Sequence, residues 1–398
     1  HDKYAAAYEA AREALVARGF DAGVAPLMRV DVFERPDGAH DLLWTHHHAL
    51  TDGWSTAQVV TEVTRAYAAL AAGGMPETTP GARYADYVRW LRHQPDTGAF
   101  WRARLATLDQ PARLADALGN AFRPSSANAA DSGPAHVMVR ELDGASHARL
   151  RHAAQRAQVT LNTLVQGAWA LVLARFSGRS QVAFGMTVSG RPVDLPDAES
   201  IVGLFINSLP LWVDVESAAT VRAWLAALQR HNAELREVEH TPLANLQQWA
   251  NSSVDALFDS LIVFENYPLD DALGALGGVP RVRAVEAYNR SHLPLMLVVA
   301  PRHVGGGDRL RLEWHRHAAR VSADGVACVA DYFERTLDRL ARALVEAGDA
   351  DVSLRDIAGD GAAEDAATAV AAFAYEPVTA RIAAQASARP DAIALVDG

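Results

Sequence analysis

Cysteine is nearly absent. Cys328 is the single one among 398 residues. No disulfide can close within the chain, which fits a reducing cytoplasm. Cys328 stands in the apolar run ADGVACVADYF, where core packing is expected rather than nucleophilic chemistry. Basic charge is also in deficit: 37 Lys and Arg face 48 Asp and Glu, for a formal charge of -11. That argues against the basic stripe of a nucleic-acid-binding face. No run of about 18 apolar residues occurs, so no membrane span is expected. No initiating Met opens the chain, and no secretory leader is expected from its first residues. The first residues, HDKYAAAYEAAREALVARGF, read as a helix already under way, and the last, ARPDAIALVDG, as a strand and a turn. Both ends look cut, as in a piece of a longer polypeptide.

Hydrophobic residues make up 50% of the chain, enough for a sizeable core, and the length suits two domains. PLMRVDVFERPDGAHDLLWTHHH reads as two strands around a Pro-Asp-Gly turn. Ser55 followed by Gln58 fits a capping box, and Val59, Val60, Val63, Tyr67 and Leu70 form an apolar stripe behind it. YADYVRWLRH and GAFWRARLATL read as two more helices. Residues 119–136 are rich in Gly, Pro, Ser and Ala and read as an exposed connection between two lobes. Beyond it, SHARLRHAAQRAQ, TLNTLVQGAWALVLARFSG and DGVACVADYFERTLDRLARALVEAG read as helices. QVAFGMTV, LFINSLPLWVDV, FDSLIVFENY, LPLMLVVAPR and RLRLEWHRHA read as strands, the last two forming a hairpin around Gly305-Gly306-Gly307-Asp308. Residues 358–373 are small and acidic and suit a linker.

The chemistry gathers in WTHHHALTDGWS, residues 44–55. Strand alternation sets Leu42, Trp44, His46 and His48 on one face and Leu43, Thr45 and His47 on the other. Adjacent strand residues diverge, so His47 and His48 do not easily chelate one ion, and no metal is expected. His48 ends the strand before a tight turn, for which Gly53 offers a positive φ, and a helix N-terminus. A neutral imidazole there can hydrogen-bond an incoming nucleophile or take its proton. Asp52 can orient the histidine, or pair with an arginine and hold the loop.

HHALTDGWS resembles the His-His-x-x-x-Asp-Gly signature of the condensation domains of nonribosomal peptide synthetases, in the chloramphenicol-acetyltransferase-like superfamily. Further stretches match that family in order. They are GFDAGVAPLMRV before the motif, then YADYVRWL, FWRARL, VSGRP (188–192), IVGLFINSLPLWV (201–213), EHTPLANLQQW (239–249), LFDSLIVFENYP (257–268) and YNRSHLPL (288–295). The ordered set covers about residues 15–345. YEPVTARIAAQASARPDAIALVDG resembles the opening of an adenylation domain.

The resemblance implies an α/β fold of two acetyltransferase-like lobes arranged as a V, with a tunnel between them. The expected division is a partial N-terminal lobe (1–125, the first lobe truncated), a C-terminal lobe (126–350), a linker (351–373) and the start of an adenylation domain (374–398). It implies donor and acceptor carrier domains as partners, an adjoining adenylation domain, and phosphopantetheine arms as the delivered groups, with no cofactor bound directly. The acceptor amine attacks the donor thioester. His48 becomes the catalytic candidate, with His47 facing the core and bracing the loop, and Asp52 and Gly53 in support. Asn207, Ser189, Arg191 (in the turn with Gly190) and Arg290 are tunnel candidates, each with a structural alternative. His46, His240, His315 and His317 are assigned to packing or surface. Two rivals stay open: an epimerization domain, which shares the motif, and a non-catalytic recruiting module.

Overall fold

The computed structural model describes residues 2–77, 81–106, 112–118, 136–215, 220–250, 257–265, 283, 293–304, 307–346 and 352–359. The N-terminal part opens with helix α1 (Asp2–Arg18) and a hairpin of β1 (Met28–Glu34) and β2 (His40–His46). The hairpin register runs from Met28 opposite His46 to Glu34 opposite His40. Pro36-Asp37-Gly38 makes the turn, with Gly38 at φ 76°, a left-handed angle that glycine takes at no steric cost. Helix α1 covers one face of the hairpin: Tyr8 meets Phe33 edge-on at 5.3 Å, and the Tyr4 hydroxyl donates to Asp41 at 2.7 Å. The other face carries Met28, Val30, Val32 and Leu42, all exposed.

Helix α2 (Gly53–Ala71) is capped by Asp52, not by Ser55 as the pattern suggested. The carboxylate of Asp52 accepts from Ser55 N at 2.8 Å, and this puts Ser55 inside the first turn. The expected apolar stripe is not buried: Val63, Tyr67 and Leu70 are each more than half exposed, while the helix buries Ser55, Ala57 and Thr64. Periodicity locates the stripe but not what covers it. Helices α3 (Tyr84–Leu91) and α4 (Gly98–Ala106) lie where expected, and a short α5 (Leu114–Leu118) follows.

The second part is built on a six-stranded mixed sheet. Its strands are β3 (His136–Leu142), β4 (Gln181–Val188), β5 (Asn207–Asp214), β6 (Ser260–Phe264), β7 (Leu295–Val304) and β8 (Gly307–Arg316), in the order β3-β8-β7-β6-β4-β5. β4, β6 and β7 run parallel, and the remaining pairs are antiparallel. Three helices fill one face: α6 (Gly144–Arg156), α7 (Leu161–Ser177) and α10 (Ala323–Glu346), with α8 (Val221–Arg236) and α9 (Leu243–Ala250) beside them. Helix α7 is apolar all round because it is central; every residue from Thr163 to Leu173 is buried. Trp314 of β8 packs on Trp169 at 5.9 Å and on Phe333 at 5.5 Å.

Two expected boundaries shift. Trp101, Ala112, Leu114 and Ala117 belong to this large core, and Ala112 bridges to Val182 of β4, so the chain joins the second unit well before residue 125. The expected linker begins inside the packed fold. Helix α11 (Leu354–Gly359) buries Leu354 and Ile357 against the core, and Val221 N donates to Val352 O at 2.9 Å. Residues 360–398, which include the expected adenylation start, and most of the 119–136 connection lie outside the described residues. Among the described residues no single helix is long and apolar enough to cross a membrane.

Candidate active site

Strand β2 stops at His46, and the chain turns over His48 and Ala49. The strand therefore ends two residues short of the alternation, which ran on to His48. His47 is exposed and does not face the core. It still ties the turn: its N–H donates to Leu27 O at 2.9 Å, its Nδ1 accepts from Ala49 N at 3.1 Å, and its carbonyl accepts from Leu50 N at 3.0 Å. His48 is exposed, and no hydrogen bond among the described residues holds its imidazole. His46 is half-buried against Trp44, ring centroids 4.6 Å apart. Burial, and then the neighbouring His48, hold the His46 imidazole below its ordinary pKa.

Asp52 does not touch a histidine. Its side chain is 2% exposed and pairs with the Arg191 guanidinium at 3.1 Å, itself 6% exposed. One carboxylate oxygen accepts from Ser55 N; the other accepts from Phe205 N at 3.1 Å. Arg191 also donates to Ala198 O at 2.6 Å and Ile201 O at 3.0 Å, and lies over the Phe205 ring at 4.2 Å. The planar fork of an arginine suits this many fixed acceptors. Gly53 opens α2 with helical backbone rather than supplying a left-handed turn.

The opposing segment, residues 189–206, is shaped to fit. Gly190 has φ 62°, and a Cβ there would overlap Phe205 O. A Cβ on Gly203 would overlap the Tyr84 ring. The Tyr84 hydroxyl donates to Leu204 O at 2.6 Å, and Tyr87, Ile201 and Phe205 form a small core of their own. Burial holds the nearby Glu239 carboxylate above its ordinary pKa. Four stretches distant in sequence thus meet: the histidine motif, YADYVRWL, VSGRP and IVGLF.

The other sequence candidates divide. Ser189 is exposed beside Gly190. Asn207 is not a free polar group on a channel wall. Its amide donates to Glu239 O at 2.9 Å and Thr241 O at 2.6 Å, and its oxygen accepts from Ser208 N at 2.9 Å. Arg191, read as a tunnel candidate, is a buried clamp. Arg290 lies outside the described residues. His315 is buried, with Nε2 3.2 Å from the Glu313 carboxylate. His317 is exposed and His240 half-buried. Sequence reasoning does not find Gly203, Phe205 or the role of the Ser55 hydroxyl. Backbone partners carry no residue signature, and the one available sign is a glycine inside the apolar IVGLF. Among the described residues no three His, Cys, Asp or Glu side chains are grouped to hold a metal ion. A cavity of about 640 Å³ opens elsewhere, beside α4, β5 and α8, and contains none of the motif residues.

Residues 1–341 match the family model of the condensation domain. The chain belongs to the condensation-domain family. One of the linear gramicidin synthase proteins of Brevibacillus parabrevis is 40% identical over 289 residues, which are 71% of this chain and 4% of that protein. Chondramide synthase cmdD of Chondromyces crocatus is 37% identical over 281 residues, 70% of this chain and 7% of that one. The condensation domain thus spans a small fraction of each of these relatives. Among solved structures it resembles the X-domain from teicoplanin biosynthesis (TM-score 0.66, 24% identity, covering 85% of this chain and 75% of that one). It also resembles the first condensation domain of the calcium-dependent antibiotic synthetase (TM-score 0.60, 16% identity, covering 82% and 69%). These likenesses show the fold, the acetyltransferase-like α/β architecture expected from the motifs.

Proposed function

We propose that this condensation domain forms an amide bond between two carrier-bound groups. The acceptor aminoacyl amine attacks the carbonyl carbon of the donor acyl or peptidyl thioester. The C–N bond forms, the C–S bond breaks, and the thiolate leaves with the proton that the amine gives up. His48 hydrogen-bonds the amine and carries that proton. A thioester is already activated, so holding two tethered substrates together supplies much of the rate. The substrates arrive on phosphopantetheine arms of donor and acceptor carrier domains, and no resident cofactor is needed. An adenylation domain is the expected neighbour in the synthetase.

One observation carries this reading: the motif turn leaves the His48 imidazole exposed while Asp52 is buried against Arg191. The histidine is free for a substrate, and the carboxylate is committed to structure. Intact mass of the acceptor carrier, after both carriers are loaded, tests the proposal. Amide formation adds the donor acyl mass. An unchanged mass with inverted chirality would mean epimerization, and neither change would mean a recruiting module.

A further inference from the structure

The His48 imidazole lacks the orienting carboxylate that usually accompanies a catalytic histidine, because Asp52 is committed to Arg191. No hydrogen bond among the described residues fixes its ring. Its place must therefore come from the backbone on either side. On the strand side, His47 N is anchored to Leu27 O at 2.9 Å. On the helix side, Asp52 N reaches Gly203 O at 3.3 Å. Three residues further on, the Ser55 hydroxyl closes the same contact. It donates to Gly203 O at 2.7 Å and accepts from Gly203 N at 3.0 Å and from Arg191 Nη2 at 3.0 Å. A hydroxyl has one donor and two acceptor sites, so Ser55 is saturated. It is fully buried, and its partner lies 148 residues away.

We propose that Ser55 is a positioning residue for His48, acting by locking the first turn of α2 to the Gly203 backbone. The inference rests on the assignment of His48 above. Gly203 offers one N–H and one C=O, and Ser55 takes both, so the helix can neither slide along the 201–205 segment nor rotate on it. Asp52 fixes the charge of the clamp, and Ser55 fixes its register. With the turn held at Leu27 and at Gly203, the short span from His48 to Thr51 has little freedom. Without the hydroxyl, Gly203 N–H and one Arg191 donor lose their partner in a buried site, and the start of α2 is free to shift. A displacement of about 1 Å in a catalytic group can cost about 100-fold in rate.

The test uses Ser55→Ala and Ser55→Cys in the intact synthetase, with amide formation measured at varied carrier concentration and folding followed by thermal denaturation. Ser55→Ala is expected to lower kcat roughly 10- to 100-fold while KM for both carriers stays within about threefold. Ser55→Cys, similar in size with a weak donor and acceptor, is expected to fall between wild type and Ala, and decides alone should Ser55→Ala not fold. A kcat within about twofold of wild type in the deciding variant overturns the proposal. So does a rise in KM at constant kcat, which would place Ser55 in carrier binding, or an activity loss that only tracks the folded fraction. His48→Ala is run alongside: if it stays active, the assignment of His48 fails, whereas its inactivity with an unaffected Ser55→Ala removes the positioning role alone.

Discussion

The Asp52 carboxylate and the Arg191 guanidinium, 139 residues apart in sequence, meet at 3.1 Å with almost no exposure of either side chain. Charges so buried are costly unless most of their remaining lone pairs and protons are also satisfied. Here Ser55 N and Phe205 N serve the carboxylate, and Ala198 O and Ile201 O serve the guanidinium, whose Nε is left without a hydrogen-bond partner among the described residues. The pair therefore welds the start of α2 to the 189–206 segment.

Arg191→Ala should cost about 3–5 kcal/mol in urea unfolding, the usual penalty for stranding one partner of a buried pair. Asp52→Asn keeps the helix cap, since Asn caps as well as Asp, yet strands the cation and should also destabilise. Combining Asp52→Asn with Arg191→Gln should cost less than the sum of the two single changes, because the partners share one interaction. Additive losses, or single losses below about 1 kcal/mol, would contradict the clamp.

Gly190 is required by two independent constraints. Its φ of 62° is left-handed, and a Cβ would overlap Phe205 O. The left-handed angle alone costs a non-glycine residue about 1–2 kcal/mol, and the overlap adds to it. Gly190→Ala should therefore lower the melting temperature by several degrees or abolish soluble expression. Gly178, also left-handed at φ 68° but with open space around it, is the control. Gly178→Ala should lose only the backbone part. Equal melting temperatures for the two variants would show that the Phe205 contact gives way freely.

Much of this architecture is legible in the sequence, and the failures share a physical origin. β4 is legible to its residue limits because QVAFGMTV is an apolar run bounded by turn residues. Helix α7 is legible because its length and apolarity leave few other options. β3 is not: HVMVREL mixes apolar with charged residues, and it is an edge strand that borrows its order from β8. Helices α8 and α9 do not declare themselves as helices, although EHTPLANLQQW stands out for its resemblance. At the site, the histidine motif is visible, but its partner is not. Arg191 in VSGRP reads as a turn residue with an open role, and only the fold brings it to Asp52. Strand periodicity misplaces His47 because it carries the alternation past the last strand residue, His46.

A separate prediction concerns acid stability. His231 on α8 sits beside Arg104, and the two side chains are hydrogen-bonded. Burial, followed by the Arg104 charge, lowers its pKa from 6.5 to about 4. The folded state thus binds this proton less readily than the unfolded state. Stability from the neutral imidazole is complete above about pH 6.5 and is lost as pH falls toward about 4. The loss should reach on the order of 2–3 kcal/mol. Urea midpoints measured at pH 7.5 and at pH 4.5 should differ less in His231→Asn than in the parent. An identical pH dependence in both would show that His231 titrates normally.

His48 makes the sharpest contrast with the clamp behind it. It is exposed, and no hydrogen bond among the described residues holds its ring, so its side chain does little for stability. His48→Ala should leave the unfolding free energy from urea titration within about 0.5 kcal/mol of wild type, as exposed substitutions usually do. The same change should remove amide formation between loaded carriers, read by intact mass. His47→Ala should behave differently. It loses the Nδ1 bond to Ala49 N, loosening the turn without removing the imidazole proposed to meet the amine. Its rate should fall by about tenfold with some activity remaining, the size expected of a modest misplacement. The order of the two variants is the decisive readout. If His47→Ala were inactive and His48→Ala active, the working imidazole would be His47, and the turn would present its residues the other way round.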